Sequence, residues 1–251
     1  MWAVRPVIAL VALLLRGGGW FRGTPHPRPT LTRADQLLVI SPGDVDSPVA
    51  LAQLTAACAK LAESGVKRLL LREPHISHSQ LERLVQSLMP LYPSEGLLVH
   101  EKCAGAQAVA AAHNLGLHLA STTDWKARRA SFRGRLGVSA HSLEEVQLAA
   151  SCGCQWAFLS PVAQPTSKPD DARPSIGEAA VLRAQRITPD LDIVALGGIT
   201  PAAAARLAAG GGRGVAVLGG IFGRGCATAP GEAQDCAAAY LKSVAEVMTH
   251  V

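Results

Sequence analysis

Eight short apolar runs, separated by alanine-rich amphipathic stretches, limit this chain to very few architectures. The runs are Leu37–Ile40, Arg68–Leu71, Leu97–His100, Leu117–Leu119, Arg135–Val138, Trp156–Leu159, Ile193–Leu196 and Gly214–Val217. Runs this short and this continuously apolar suit strands that are buried on both faces, as in a parallel sheet. The stretches between them, such as Pro48–Glu63, Ser79–Leu91, Cys103–Asn114 and Ser142–Ala150, are long enough for crossover helices joining parallel strands. The chain has 251 residues, and a closed barrel of eight such units takes about 250. The pattern therefore predicts an α/β fold, a (β/α)8 TIM barrel in a single domain with an N-terminal extension.

The last two runs carry the clearest chemical signal. Val194-Ala195-Leu196 leads into Gly197-Gly198-Ile199, then Thr200-Pro201; Val215-Ala216-Val217-Leu218 leads into Gly219-Gly220. Thr200 followed by Pro201 marks a helix start, since threonine caps and proline fits the first helical turn. Glycine pairs let main-chain N–H groups approach an anion without a side chain in the way. In barrels of this kind the loops after strands seven and eight often hold a phosphate. Gly197, Gly198, Gly219 and Gly220 are accordingly the candidate phosphate seat.

Charge and cysteine content narrow the function further. The formal charge of +5 comes with Arg5, Arg16, Arg22 and Arg28 placed ahead of the first acidic residue, Asp35, so the body of the chain is close to neutral. No aromatic residues are interleaved with a basic face, which argues against nucleic acid as a partner. Six cysteines show no C-x-x-C pair, and a core of this size needs no disulfide, so a reduced, cytoplasmic protein is expected. Val7–Leu15 is too short an apolar run to span a bilayer as a helix. Residues 1–31 read either as a disordered extension or misassigned start, or as a weakly signal-like targeting or interfacial segment, with the barrel occupying 32–251. A membrane partner is not expected, and homo-oligomerisation is left open.

Catalytic groups in such barrels project from the C-terminal ends of the strands. Arg72 and Glu73 end strand two; His100, Glu101 and Lys102 end strand three; His118 ends strand four. Ser139 and His141 end strand five, and strand six runs into Ser160 and the loop Gln164–Pro169. Most of these have a structural alternative. His118 can be a hydrogen-bonded core residue, Ser139 a helix cap, Glu73 an ion-pair partner of Arg72, and Glu101 with Lys102 the first turn of a solvated helix.

The segments Leu71-Arg72-Glu73, Gly116-Leu117-His118-Leu119, Gly137-Val138-Ser139-Ala140-His141-Ser142, Ser160-Pro161-Val162 with Thr166-Ser167-Lys168-Pro169, Leu196-Gly197-Gly198-Ile199 and Gly214-Val215-Ala216-Val217 occur in order, one per barrel unit. Together they resemble the thiamine phosphate synthase and TenI superfamily of barrels over Leu37–Phe222. The resemblance implies thiamine biosynthesis and a phosphorylated thiazole ligand. It also implies one of two chemistries. Synthases join a pyrimidine pyrophosphate to a thiazole phosphate with Mg²⁺ assisting pyrophosphate departure; TenI-type tautomerases move a proton on a thiazole carboxylate phosphate, which makes the ring aromatic.

The chain departs from the synthase pattern around the pyrophosphate. Leu70, Arg72, Glu73 and Pro74 stand where the family has Gln-x-Arg-Glu-Lys, and His100-Glu101-Lys102 replaces Asn-Asp-Arg. The second metal carboxylate falls at Thr123, with Asp124 one place on, and Pro165 and Ser167 replace paired threonines while Lys168 remains. By resemblance, then, His141, Arg72 and Lys168 are the expected catalytic residues. Gly197, Gly198, Gly219, Gly220, Ser139, His118, Lys102 and Glu73 are expected on the substrate, and Glu101 and Asp124 on Mg²⁺ only if synthase activity is retained. The weakened metal site inclines the reading to tautomerase chemistry at His141, with a synthase and a non-catalytic phosphate-ligand binder as alternatives.

Overall fold

The computed structural model describes residues 36–165, 173–223 and 229–248. The expected extension at 1–31, together with Thr166, Ser167, Lys168, Pro169 and Cys226, lies outside the described residues. Eight parallel strands alternate with helices in a closed barrel, β1 to β8 in sequence order. The first half runs β1 (Leu37–Ile40), α1 (Pro48–Glu63), β2 (Arg68–Leu71), α2 (His78–Leu88), β3 (Leu97–His100), α3 (Ala106–Ala112), β4 (Gly116–Leu119) and α4 (Trp125–Ser131). The second runs β5 (Leu136–Ala140), α5 (Leu143–Ser151), β6 (Trp156–Leu159), α6 (Gly177–Ile187), β7 (Asp192–Leu196), α7 (Pro201–Ala209), β8 (Gly214–Val217), the short α8 (Gly219–Phe222) and α9 (Pro230–Met248).

The strands read as continuous apolar runs because both of their faces are buried. Leu37, Val39, Leu69, Leu71, Leu97 and Val99 point outward and pack under the helices. Leu38, Ile40, Leu70, Leu98, Trp156, Phe158, Val194 and Ala216 form a separate cluster inside the barrel. Interior space is divided unevenly: a side chain on Gly137 would meet the Trp156 indole at 1.8 Å, and one on Gly116 would meet it at 2.6 Å. Two strands therefore give up their interior side chain so that one tryptophan can fill the barrel floor.

Several element edges differ from the sequence expectation, each for a local reason. Strand β5 continues past Val138 because Ser139 and Ala140 still pair with Phe158 and Leu159. Helix α2 starts at His78, where Ser77 and Gln80 form a reciprocal capping box, and it stops at Leu88, ahead of Pro90. Helix α3 begins only at Ala106, because Gly105 holds a left-handed φ of 76° at its N-cap. Ser142, not Ser139, caps α5 through a bond from Glu145 N–H. The expected Thr200 cap and first-turn Pro201 are present at α7.

Candidate active site

Alternation along the strands decides which rim residues face inward. On β2 the interior sequence is Leu70 then Arg72; on β3 it is Leu98, His100 and Lys102; on β4, β5 and β6 it ends at His118, Ser139 with His141, and Phe158 with Ser160. All of these except Leu98 line one cavity of about 600 Å³ at the C-terminal mouth of the barrel. The opposite wall is Leu196, Gly197, Gly198, Thr200 and Leu218–Gly220. Gly197 and Gly198 have φ of 95° and 62°. A methyl on Gly198 would lie 2.7 Å from the Gln164 carbonyl, and one on Gly197 would lie 2.9 Å from Pro161 Cα, so only glycine fits either place.

The loop after β6 is stitched to that glycine wall. Val162 N–H donates to Leu196 O at 2.9 Å and Ala163 N–H to Gly197 O at 3.0 Å. From the far side, Tyr240 on α9 donates its hydroxyl to Ile199 O at 2.7 Å and itself lines the cavity. The glycine pairs thus sit in a braced frame, with main chain rather than side chains facing the cavity.

His141 stands beside this wall. Its Nδ1 is 2.8 Å from Ser160 O and so carries the hydrogen, which leaves a lone pair on Nε2. Its main-chain N–H donates to Glu145 Oε2 at 2.6 Å. Arg173, a cavity residue outside the sequence motifs, places its NH1 2.8 Å from both ring nitrogens.

The floor is a neutral polar stack. Trp156 Nε1–H donates to His118 Nδ1 at 3.0 Å, which fixes the hydrogen of His118 on Nε2, where it is donated to Ser139 Oγ at 3.0 Å. The Ser139 hydroxyl hydrogen is thereby released for another acceptor. His118 also packs against Phe158, with ring centroids 4.2 Å apart. His100 accepts the Lys102 N–H on Nδ1 at 3.1 Å. Burial, with the nearby Arg72 and Lys102 cations, pulls the His100 imidazole down from 6.5 to about 4, and burial holds His118 well below its ordinary value. Both rings are therefore neutral at physiological pH.

That neutrality has a stability consequence. The unfolded chain protonates both imidazoles near pH 6.5, while the folded chain does not until about 4 or lower, so the unfolded state binds more protons in that window. Stability should be full above about pH 6.5 and fall as the pH drops, by on the order of 3 kcal/mol for His100 alone at pH 4. Thermal unfolding between pH 7.5 and 4.5 measures this. His100→Gln should flatten the slope, and an unchanged slope in that variant would contradict the assignment.

Three expected site residues are placed elsewhere. Glu73 is fully buried and does not line the cavity. Its carboxylate accepts from Gly43 N–H at 3.0 Å and Val45 N–H at 3.2 Å, so it holds the loop after β1 rather than substrate or Arg72. That loop supports Arg72 in turn, since Gly43 lies close under the Arg72 guanidinium, with room for no side chain between them. Glu101 also turns away from the cavity: Oε1 accepts from Ala120 N–H at 2.6 Å and from the Thr123 hydroxyl, and Oε2 faces Arg128 at 3.6 Å. Asp124 caps α4 through a bond from Ala127 N–H at 3.0 Å. A magnesium ion is bound through one or two carboxylates, usually together with substrate phosphates. Neither Glu101 nor Asp124 lines the cavity, so the two do not offer an ion a ligand set there. Among the described residues no group of three or more His, Cys, Asp or Glu is placed to hold a metal.

The remaining expectations divide cleanly. Arg72, Lys102, His118, Ser139, His141 and the four glycines are brought together around one cavity, while Lys168 lies outside the described residues. The five described cysteines are all free, and no described helix is long and apolar enough to cross a membrane.

Comparison with known proteins agrees with this architecture. The family model described as thiamine monophosphate synthase matches residues 37–221. A thiamine-phosphate synthase of Herpetosiphon aurantiacus is 32% identical over 170 residues, covering 66% of this chain and 80% of that protein. One from Chloroflexus aurantiacus is 36% identical over 155 residues, covering 60% and 69%. The solved structure of a thiamine phosphate pyrophosphorylase from Pyrococcus furiosus superposes with a TM-score of 0.69 at 21% identity, over 87% of this chain and 100% of that one, a likeness of fold. With the family model spanning all eight strands, the chain belongs to the thiamine monophosphate synthase and TenI family.

Proposed function

We propose that the barrel mouth binds a thiazole phosphate and that His141 moves a proton on it without a metal ion. One observation carries the reading: His141 lines the cavity with Nδ1 committed to Ser160 O, so Nε2 is the proton-accepting atom. The carboxylates at the metal positions, by contrast, are both engaged outside the cavity. The glycine pairs receive the phosphate, and Arg72 and Lys102 add positive charge to the same mouth. Nε2 takes a proton from a ring carbon of the thiazole, and the imidazolium returns one elsewhere on the same molecule, so no atom is gained or lost. An imidazole suits both halves because the same ring nitrogen accepts a proton as a base and returns it as an acid. The Ser139 hydroxyl, oriented by His118, supplies a hydrogen-bond donor to the ring.

A second reading rests on the relatives, which are named thiamine-phosphate synthases. In it, Arg72 and Lys102, joined by Lys168, neutralise the pyrophosphate of a pyrimidine pyrophosphate as it leaves. One experiment separates the two. The non-aromatic thiazole carboxylate phosphate is incubated with the protein in excess chelator and aromatisation is followed by absorbance; in parallel, pyrimidine pyrophosphate, thiazole phosphate and Mg²⁺ are supplied and thiamine phosphate is quantified. Catalysed aromatisation undiminished by chelator is the expected result. Thiamine phosphate formed only with Mg²⁺, and no aromatisation, would replace the proposal by the synthase reading.

A further inference from the structure

We infer that His100 is a further catalytic residue of the barrel mouth: its Nε2–H donates a hydrogen bond to the ligand atom that gains negative charge when His141 takes a proton. The inference rests on the proton-transfer reading above and deepens it by adding the electrophile that such a transfer uses.

The hydrogen of His100 is placed by its own strand end. His100 closes β3, and the chain then turns so that Lys102 N–H donates to His100 Nδ1 at 3.1 Å. A neutral imidazole that accepts on Nδ1 carries its hydrogen on Nε2. Burial, with the Arg72 and Lys102 cations close by, keeps the ring neutral. The residue is 6% exposed, yet among the described residues Nε2 has no hydrogen-bond partner. Every fully enclosed side-chain nitrogen and oxygen of the described residues does have one. Nε2 is therefore not enclosed, and what it opens on is the cavity that His100 lines. His118, the other imidazole of the floor, offers no such hydrogen, because its Nε2–H goes to Ser139.

The two histidines are placed for unlike tasks. Strand β4 lies between β3 and β5, so His100 and His141 reach the cavity from strands two spacings apart, about 10 Å at the main chain. A ring bound between them meets a base from one side and a fixed donor from the other. When Nε2 of His141 takes a proton from a ring carbon, the C–H bond breaks and an N–H bond forms. The electron pair stays on the ligand and spreads toward its heteroatoms. A donor already aimed at that charge stabilises it without reorganising, which is the use to which a neutral imidazole can be put. His100 keeps its hydrogen throughout, so the proton held by His141 is the one returned to the ligand. Being uncharged, His100 also leaves the phosphate to the glycines, Arg72 and Lys102.

The test compares three variants with the wild type on the full chain, by kcat and KM for thiazole aromatisation in excess chelator. Asparagine at 100 can still accept the Lys102 N–H but has nothing at the place of Nε2, whereas the amide of glutamine puts an N–H there. His100→Phe keeps the ring's packing and has no donor. Loss of one preorganised donor costs about 10²–10³ in kcat. His100→Asn and His100→Phe should both lower kcat by about 100-fold and change KM by less than about threefold, and His100→Gln should recover at least about tenfold of the loss. A wild-type kcat in His100→Asn or His100→Phe, a loss expressed in KM instead, or a His100→Gln variant as slow as the other two overturns the role of His100 while the proton-transfer reading stands. A wild type that does not aromatise the thiazole overturns that reading and this inference with it.

Discussion

His141→Asn should lower the rate of thiazole aromatisation by at least about 100-fold and change thiazole phosphate affinity by less than about threefold. General acid–base catalysis by a placed side chain contributes roughly 10²–10⁴ to a rate. Asparagine preserves what is structural about the residue, because its amide N–H can still donate to Ser160 O where Nδ1–H now does. What it removes is the Nε2 lone pair, and no neighbour replaces it. Ser139 carries only a hydroxyl, His118 is fully buried and spends both nitrogens on Trp156 and Ser139, and His100, its Nδ1 bonded to Lys102 N–H, is a weak base that burial pulls down to about 4. A variant that turns over at the wild-type rate contradicts the role of His141. Loss of affinity together with rate would make His141 a binding residue instead.

Much of the barrel could be read from the chain, because strands buried on both faces leave continuous apolar runs. Leu37–Ile40, Arg68–Leu71, Leu97–His100, Trp156–Leu159 and Gly214–Val217 match the observed strands end to end. The site was harder to read, since "polar residue at a strand end" does not say which way the residue faces. Period-two alternation carried that information. Counting in twos from Leu70 and Leu98 places Arg72, His100 and Lys102 inside and Glu73 and Glu101 outside, as the structure has them. The same count assigns Phe158 to the cavity, a residue the motifs do not draw attention to. Arg173 and Tyr240 were not legible by any local rule. One reaches the cavity from a loop and the other from α9, 41 residues beyond its partner Ile199, and only closure of the barrel brings them in. The Glu101–Thr123 bond illustrates the same limit: a carboxylate in a metal-like sequence context is satisfied by a hydroxyl from the next strand's loop.

Gly198→Ala should weaken thiazole phosphate binding by at least about 100-fold. Two costs combine. At φ 62° an alanine is strained, by on the order of 1 kcal/mol, and its methyl would sit 2.7 Å from Gln164 O and 2.8 Å from Ala163 atoms. Those atoms belong to the loop bonded to Leu196 and Gly197, so relief of the clash requires the phosphate wall and the loop after β6 to part. Thermal unfolding of the variant distinguishes a damaged seat from a damaged fold, since the atoms the methyl would meet first belong to the loop after β6 and not to the interior cluster of Trp156 and Phe158. A folded Gly198→Ala protein that binds with wild-type affinity would show that the phosphate lies elsewhere.

The most direct measurement needs no variant. Wild-type protein is titrated calorimetrically, in excess chelator, with the thiazole phosphate and with its dephosphorylated alcohol. If the glycine pairs are a metal-free phosphate seat, the phosphate binds at least about 100-fold more tightly than the alcohol, consistent with several charge-assisted hydrogen bonds. Equal affinities, or phosphate binding that returns only when Mg²⁺ is added back, would contradict the account.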